Sequence, residues 1–309
     1  MTDKPAGRRG SDDRRQAPDD AAVAPNTPIR RPNDDLRVRA AIRNELATDR
    51  PITPDELPTL VNEKTADNVI ALDHVSLAFE EPILQDVSFA ALEGETIVVA
   101  GESGTGKSTI LKLLLRLLVP DKGRVYIDDE EITELNFPDA LKVRQKMGMV
   151  FQGAALFDSM TVFENIAYPL REHTTLDEDE IEARVREKLS FVDLDPERVM
   201  EQLPSDLSGG MRKRVGIARG MANNPKIMLY DEPTSGLDPL TTATITHLII
   251  KLQRELGVTS VVVTHDIRSA FRMASKIAVL AEKKISFFGT PEEMAASDDK
   301  YLRDFLGGF

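Results

Sequence analysis

The sequence predicts an α/β fold: a mainly parallel sheet, a small helical lobe inserted into it, and a poorly ordered extension in front. Three observations predict this. "TIVVA", "IMLY" and "TSVVVTH" are short, almost wholly apolar or β-branched runs bounded by turn residues, with helical periodicity between them. Strands without polar alternation are covered on both faces, as parallel strands are. A glycine-rich turn, "GESGTGKST", follows the first of these runs and opens a helix.

Residues 1–66 are expected to form the extension. The stretch to Asp35 is rich in Pro, Asp and Arg and poor in large apolar residues, so burial cannot offset the entropy of ordering it. "LRVRAAIRNEL", Leu36 to Leu46, has weak helical spacing, and "DRPITPDELPTL" breaks it with three prolines. From 67 to 309 the chain reads as one folded unit, its first strand in "VIALDHVSLAFE". The inserted lobe covers about 152–214. A capping box is expected there at Thr175 and Glu178, ahead of an apolar stripe at Ile181, Val185 and Leu189. Acids open this helix and Arg184, Arg186 and Lys188 follow, in the sense the helix dipole favours.

Composition narrows the function. The formal charge of −13 argues against nucleic acid as a ligand, because duplex binding rests on neutralising phosphates with Lys and Arg. The local cluster Arg212, Lys213, Arg214 reads as a solvated helix face. With no cysteine, disulfide frameworks and Cys-based zinc sites are excluded. The densest apolar run, "ILKLLLRLLV", is broken by Lys112 and Arg116 and is too short to span a bilayer. The N-terminus has no apolar core of the kind a secretory signal carries. A cytosolic or membrane-peripheral location is expected.

The chemistry is concentrated at strand ends. Gly101, Gly106, Lys107 and Ser108 fit G-x-x-x-x-G-K-[ST] between a strand and a helix, which makes Gly101, Glu102, Ser103, Gly104, Thr105, Gly106, Lys107, Ser108 and Thr109 a phosphate-binding loop for ATP. Lys107 is expected to reach the β and γ oxygens and the Ser108 hydroxyl to ligate Mg²⁺. The strand Ile227–Tyr230 delivers Asp231 to hold the Mg²⁺ sphere and Glu232 to polarise a water. "VVVTHD" brings His265 to the same edge, toward the γ-phosphate. Gln152, after "MGMVF", is expected to sense Mg²⁺ and the lytic water. His74, His173 and His247 are given no role. A second anion-binding turn, "LSGGM", opens the basic helix after Leu207 and contains no lysine.

These motifs in this order resemble the nucleotide-binding subunits of ABC transporters, over about Val69 to Phe309. The resemblance implies a P-loop core with an N-terminal antiparallel β part, ATP hydrolysis, and a head-to-tail dimer. Ser208, Gly209 and Gly210 of one copy would then close on the ATP of the other. It also implies that Asp238 of "SGLD" crosses the dimer seam and that Phe79 stacks on adenine, unless Phe79 is a core aromatic. Met211 departs from the usual glutamine of the signature.

"FQGAALFDSMTVFENIAYPLREHT", "LSGGMRKRVGIAR" and "LAEKKISFFGTPEEM" resemble, more narrowly, the Mla and Mce-associated ATPases that drive lipid movement between bacterial envelope membranes. That implies an integral-membrane permease of the MlaE type docking near residues 153–172. Leu156, Phe157, Met160 and Phe163 look exposed there, although they would also serve to pack the lobe. An Mce-domain protein in the same complex and a small regulatory subunit on the lobe are implied as well. Two alternatives stand beside this: the ATPase of an importer for a small polar solute, and a soluble ABC protein without a permease. The second is disfavoured by the single P-loop and the short insertion.

Overall fold

The computed structural model describes residues 68–307, so the expected extension and its weak helical pattern lie outside the described residues. Strands β1 (Asn68–Ala78), β2 (Pro82–Leu92), β4 (Lys122–Ile127) and β5 (Glu130–Glu131) form an antiparallel sheet in the order β2-β1-β4-β5. The second sheet uses β3 (Thr96–Ala100), β6 (Met147–Val150), β7 (Ile227–Asp231), β8 (Thr259–Thr264), β9 (Lys276–Ala281) and β10 (Lys284–Gly289). Its order is β10-β9-β3-β8-β7-β6, parallel throughout except for β10 at one edge.

The helices are α1 (Lys107–Leu114), α2 (Phe137–Gln145), α3 (Val162–His173), α4 (Glu178–Phe191), α5 (Pro196–Val199), α6 (Gly209–Gly220), α7 (Pro239–Leu256), α8 (Ile267–Met273), α9 (Pro291–Ala295) and α10 (Lys300–Gly307). Among the described residues no helix is long and apolar enough to cross a membrane.

The continuous apolar strands have a physical reason. Side chains alternate across a strand, and here each face meets a different core. Val98, Ala100, Met228, Tyr230 and Val262 join the cluster that holds α3, α4, α6 and α7. Ile97, Val99, Ile227, Leu229, Val261 and Val263 join the one that holds α1 and the antiparallel sheet. Neither face is left for water, so no polar alternation is written into the sequence.

The lobe differs from the sequence expectation in one respect, the cap of its second helix. Its second helix is capped by Asp177, whose side chain accepts from Glu180 N while Glu180 caps Asp177 N in return. The expected Thr175/Glu178 box does not form, because Arg171 takes the Glu178 carboxylate bidentately at 2.9 and 2.6 Å. Leu156 and Phe163 are half-buried against the core and Phe157 stays exposed. The stripe Ile181, Val185, Leu189 is buried as expected, in the same cluster as Leu248 and Val262, so lobe and sheet share one core.

The docking of α6 on the sheet fixes the site described next. Gly148 of β6 lies so close that an added Cβ would stand 2.1 Å from Gly220 O and 2.4 Å from Met228 Sδ. Gly148→Ala is therefore expected to destabilise the fold by roughly 1–3 kcal/mol, as overpacking does. A urea midpoint equal to wild type would show that α6 shifts freely.

Candidate functional site

The parallel register brings four loops to one edge. Ala100 pairs with Thr264, Asp231 with Val263, and Val150 with Tyr230. The chain leaving β3, β6, β7 and β8 thus enters Gly101, Gln152, Glu232 and His265 side by side, as expected of ligand sites in open parallel sheets.

After β3 the loop turns into α1 at Gly106, with φ of 102° and no side-chain cap on the helix. Only glycine holds that backbone without strain, and it leaves first-turn N–H groups with no intrahelical acceptor, which suits an anion. Lys107 Nζ donates to Gly101 O (2.9 Å) and Glu102 O (2.7 Å) and stands 3.9 Å from Glu232 Oε1. Burial pulls its ammonium below the usual lysine range, and the Glu232 and Asp231 carboxylates push the other way.

Ser108 Oγ donates to Asp231 Oδ1 at 2.8 Å, joining α1 to the end of β7. A hydroxyl and a carboxylate held together are hard oxygen donors of the kind Mg²⁺ takes, with the rest of its shell left to water and phosphate. The residues present therefore fit the ion. Among the described residues no group of three or more acidic or histidine side chains forms a metal cluster.

Glu232 has φ of 48°, a left-handed backbone uncommon outside glycine and a mark of strained functional positions. Its N–H donates to Val263 O at 2.9 Å. His265 Nδ1 lies 2.9 Å from its Oε2, so the ring nitrogen carries the hydrogen and the carboxylate accepts. The Thr264 hydroxyl donates to the same oxygen at 3.4 Å. Sequence reasoning aimed His265 at phosphate and missed this contact with Glu232. Gln152 is exposed with Nε2 3.4 Å from Ser235 Oγ, rather than on the Ser108–Asp231 pair.

Ser208 caps α6, its hydroxyl accepting from Met211 N, and with Gly209 it lies exposed. The turn packs against Leu237 and Thr241. Asp238 caps α7, and bonds from the Thr241 hydroxyl and backbone hold its carboxyl below the usual range. Phe79 stands just beyond β1 and is 67% exposed, so it is not a core aromatic. His74 pairs with Asp86 at 2.6 Å and His247 lies exposed on α7.

The expectation of a solvated face holds for exposed Arg212 and in part for half-buried Arg214, and fails for Lys213. Arg212 donates to Leu207 O at 2.6 Å, Arg214 to Asp193 O at 2.8 Å, and Lys213 is buried with 6% exposure. Sequence reading gave Lys213 no part in the site, yet it donates to the backbone oxygens of both Gln152 and Glu232.

A groove of about 520 Å³ opens elsewhere, its walls including Leu141, Met149, Phe151, Phe157, Tyr168 and Arg219, and none of the phosphate-loop residues. Phe157 and Tyr168 meet with ring centroids 5.4 Å apart, and Arg219 covers Phe157 at 5.8 Å.

Comparison with known proteins bears on this geometry. A family model described as ABC transporter matches residues 84–235. The intermembrane phospholipid transport system ATP-binding protein MlaF of Escherichia coli is 37% identical over 247 residues, 80% of this chain and 91% of that protein. The chain belongs to the ABC transporter ATP-binding family. A probable ribonucleotide transport ATP-binding protein of Mycobacterium tuberculosis is 41% identical over 226 residues, 73% of this chain; the chain spans 62% of that relative's length. Among solved structures, a dimeric bacterial ABC transporter cassette superposes with a TM-score of 0.67 at 37% identity, covering 72% of this chain and 98% of the cassette. A dimeric post-hydrolysis cassette bound to ADP and Pi gives 0.66 at 36% identity, with the same coverage. The α/β fold described above is thus that of an ABC cassette.

Proposed function

We infer that this chain is the ATP-hydrolysing subunit of an ABC transporter complex, a head-to-tail dimer on the cytoplasmic face of a membrane, whose cargo is phospholipid or a related lipid. The convergence of Lys107, Ser108–Asp231 and Glu232–His265 on one sheet edge carries the hydrolytic reading. Lys107 and the loop N–H groups hold the β and γ oxygens of ATP. Ser108 and Asp231 would hold Mg²⁺, joined by Gln152 once its side chain leaves Ser235, and the ion would neutralise charge on those oxygens. Glu232 orients a water and accepts its proton, and His265 keeps the carboxylate aimed. Ser208, Gly209 and Gly210 serve the partner copy's nucleotide, Asp238 lies at the dimer seam, and exposed Phe79 is free to stack on adenine.

The lipid cargo is supported by the likeness to MlaF, of which the chain covers nearly the full length. It carries with it an integral-membrane permease of the MlaE type, an Mce-domain protein and a small regulatory subunit as partners. The groove around Phe151, Phe157 and Tyr168 has the apolar lining that receives a partner helix. The mycobacterial relatives are called ribonucleotide transport proteins, which favours a second reading with a polar cargo and identical nucleotide chemistry.

One experiment separates them. The tagged chain is purified from its own membranes in mild detergent beside a Phe157→Asp variant, and the co-purifying proteins and lipids are identified by mass spectrometry. Wild type is expected to bring down a permease, an Mce-domain protein and phospholipid, and Phe157→Asp to lose all three. A solute-importer permease without an Mce protein would overturn the lipid cargo, and equal recovery by the variant would overturn the groove as the docking surface.

A further inference from the structure

The sequence places "RKR", Arg212 to Arg214, just after the turn that would close on the partner's nucleotide, and its middle member, Lys213, faces this chain's own site. Lys213 is one turn into α6 and buried, and an ammonium there is favoured only if every donor finds an acceptor and its charge is balanced. It donates to Gln152 O, in the loop after β6, and at 3.2 Å to Glu232 O, after β7. Burial pulls its ammonium below the usual lysine range, and the Glu232 and Asp231 carboxylates push the other way.

These two acceptors belong to the backbone of the residue read as polarising water and of Gln152, which follows the groove-lining Phe151 in the chain. Glu232 sits in the left-handed region, where a backbone persists only when its surroundings hold it: Val263 O takes its N–H, and its carbonyl accepts from Ser235 N–H within its own turn and from Lys213, both at 3.2 Å, the lysine being the bond that reaches it from α6. The same helix grips the Gln152 loop a second time. Arg219 donates to Ala155 O at 2.7 Å and Ala154 O at 2.9 Å, two residues that also have positive φ. The helix itself is seated on β6 by the Gly148–Gly220 contact.

We propose that Lys213 is a positioning residue for hydrolysis, fixing the main chains of Glu232 and Gln152 to the helix whose first turn meets the partner's nucleotide. When that turn engages, the carboxylate and the groove-side loop then move with it as one body. The proposal rests on the reading of Glu232 as the group that activates water. It differs from a packing role in that the ammonium reaches acceptors in two loops at once, which an apolar side chain of equal length cannot do.

The test uses the full chain purified with its co-purifying subunits. Lys213→Met keeps the length of the stem and removes donors and charge, whereas Lys213→Arg keeps both. The Met variant is expected to lose about 10- to 100-fold in kcat, the scale of a small misplacement at a reacting centre, with KM for ATP unchanged. The Arg variant is expected to recover most of the loss. Wild-type kcat in Lys213→Met, a loss carried by KM, or a loss that Arg leaves unrescued overturns the proposal. If Lys213→Met does not fold, Lys213→Gln, whose neutral amide is one atom shorter than the lysine stem and cannot reach both acceptors as the ammonium does, is judged by the same criteria. Glu232→Gln is assayed beside them: if it turns over ATP like wild type, the reading of Glu232 fails, whereas its loss beside a fully active Lys213→Met overturns the positioning role alone.

Discussion

Glu232→Gln is expected to abolish steady-state ATP hydrolysis by the assembled complex while leaving nucleotide binding in place. The substitution keeps the shape of the side chain and its backbone, including the N–H to Val263 O bond at 2.9 Å. It removes the one carboxylate at this edge that His265 and Lys107 share, at 2.9 and 3.9 Å. A positioned general base contributes about 10²–10⁴-fold to a rate, or roughly 3–5 kcal/mol of barrier. The phosphate loop and the Ser108–Asp231 pair are untouched, so ATP is expected to be retained unhydrolysed and to accumulate on the protein. Two measurements check this, phosphate release and the nucleotide recovered after gel filtration. Turnover within a few-fold of wild type would remove Glu232 from the role of base. A loss of turnover together with a loss of bound ATP would instead mark Glu232 as a binding group acting through Lys107.

Which parts of this site were legible in the sequence follows from the range of the interactions involved. The phosphate loop was readable because its residues are consecutive and its glycine and lysine obey a fixed spacing. Asp231, Glu232 and His265 were readable as strand-end residues, since parallel strands present their ends at one edge. Their contact with each other was not, because it depends on β7 lying beside β8, and nothing local to either strand states its neighbour. Lys213 was misread for the same reason. A lysine between two arginines looks solvated, and the acceptors that make its burial tolerable lie 61 and 19 residues away in the chain. The capping box slipped by two positions because Thr175/Glu178 and Asp177/Glu180 both satisfy the local pattern, and Arg171, across the loop, decides between them. Leu156 and Phe163 turned inward because lobe and sheet share one core, which no local pattern announces.

The second large effect concerns which chain completes which site. In the turn at Ser208 to Gly210 the first two residues are exposed and Gly210 is half-buried, close against Thr241. A helix N-terminus with a hydroxyl cap and two glycines suits an anion, and in the head-to-tail arrangement proposed above that anion is the partner copy's nucleotide. Two crippled chains should then repair each other. In a Glu232→Gln background, which stops hydrolysis, chains with Lys107→Ala are paired with chains with Ser208→Arg through two different affinity tags. Each homodimer has both sites damaged, one through its lysine and the other through a bulky cation in the closing turn. The heterodimer has one site with both defects and one site with neither, because the intact phosphate loop of one chain faces the intact turn of the other. The expected outcome is ATP occlusion by the heterodimer and none by either homodimer. Were each site built from a single chain, every site in the mixture would carry a defect and the heterodimer would retain nothing. That result would return Ser208, Gly209 and Gly210 to a role in the chain that carries them.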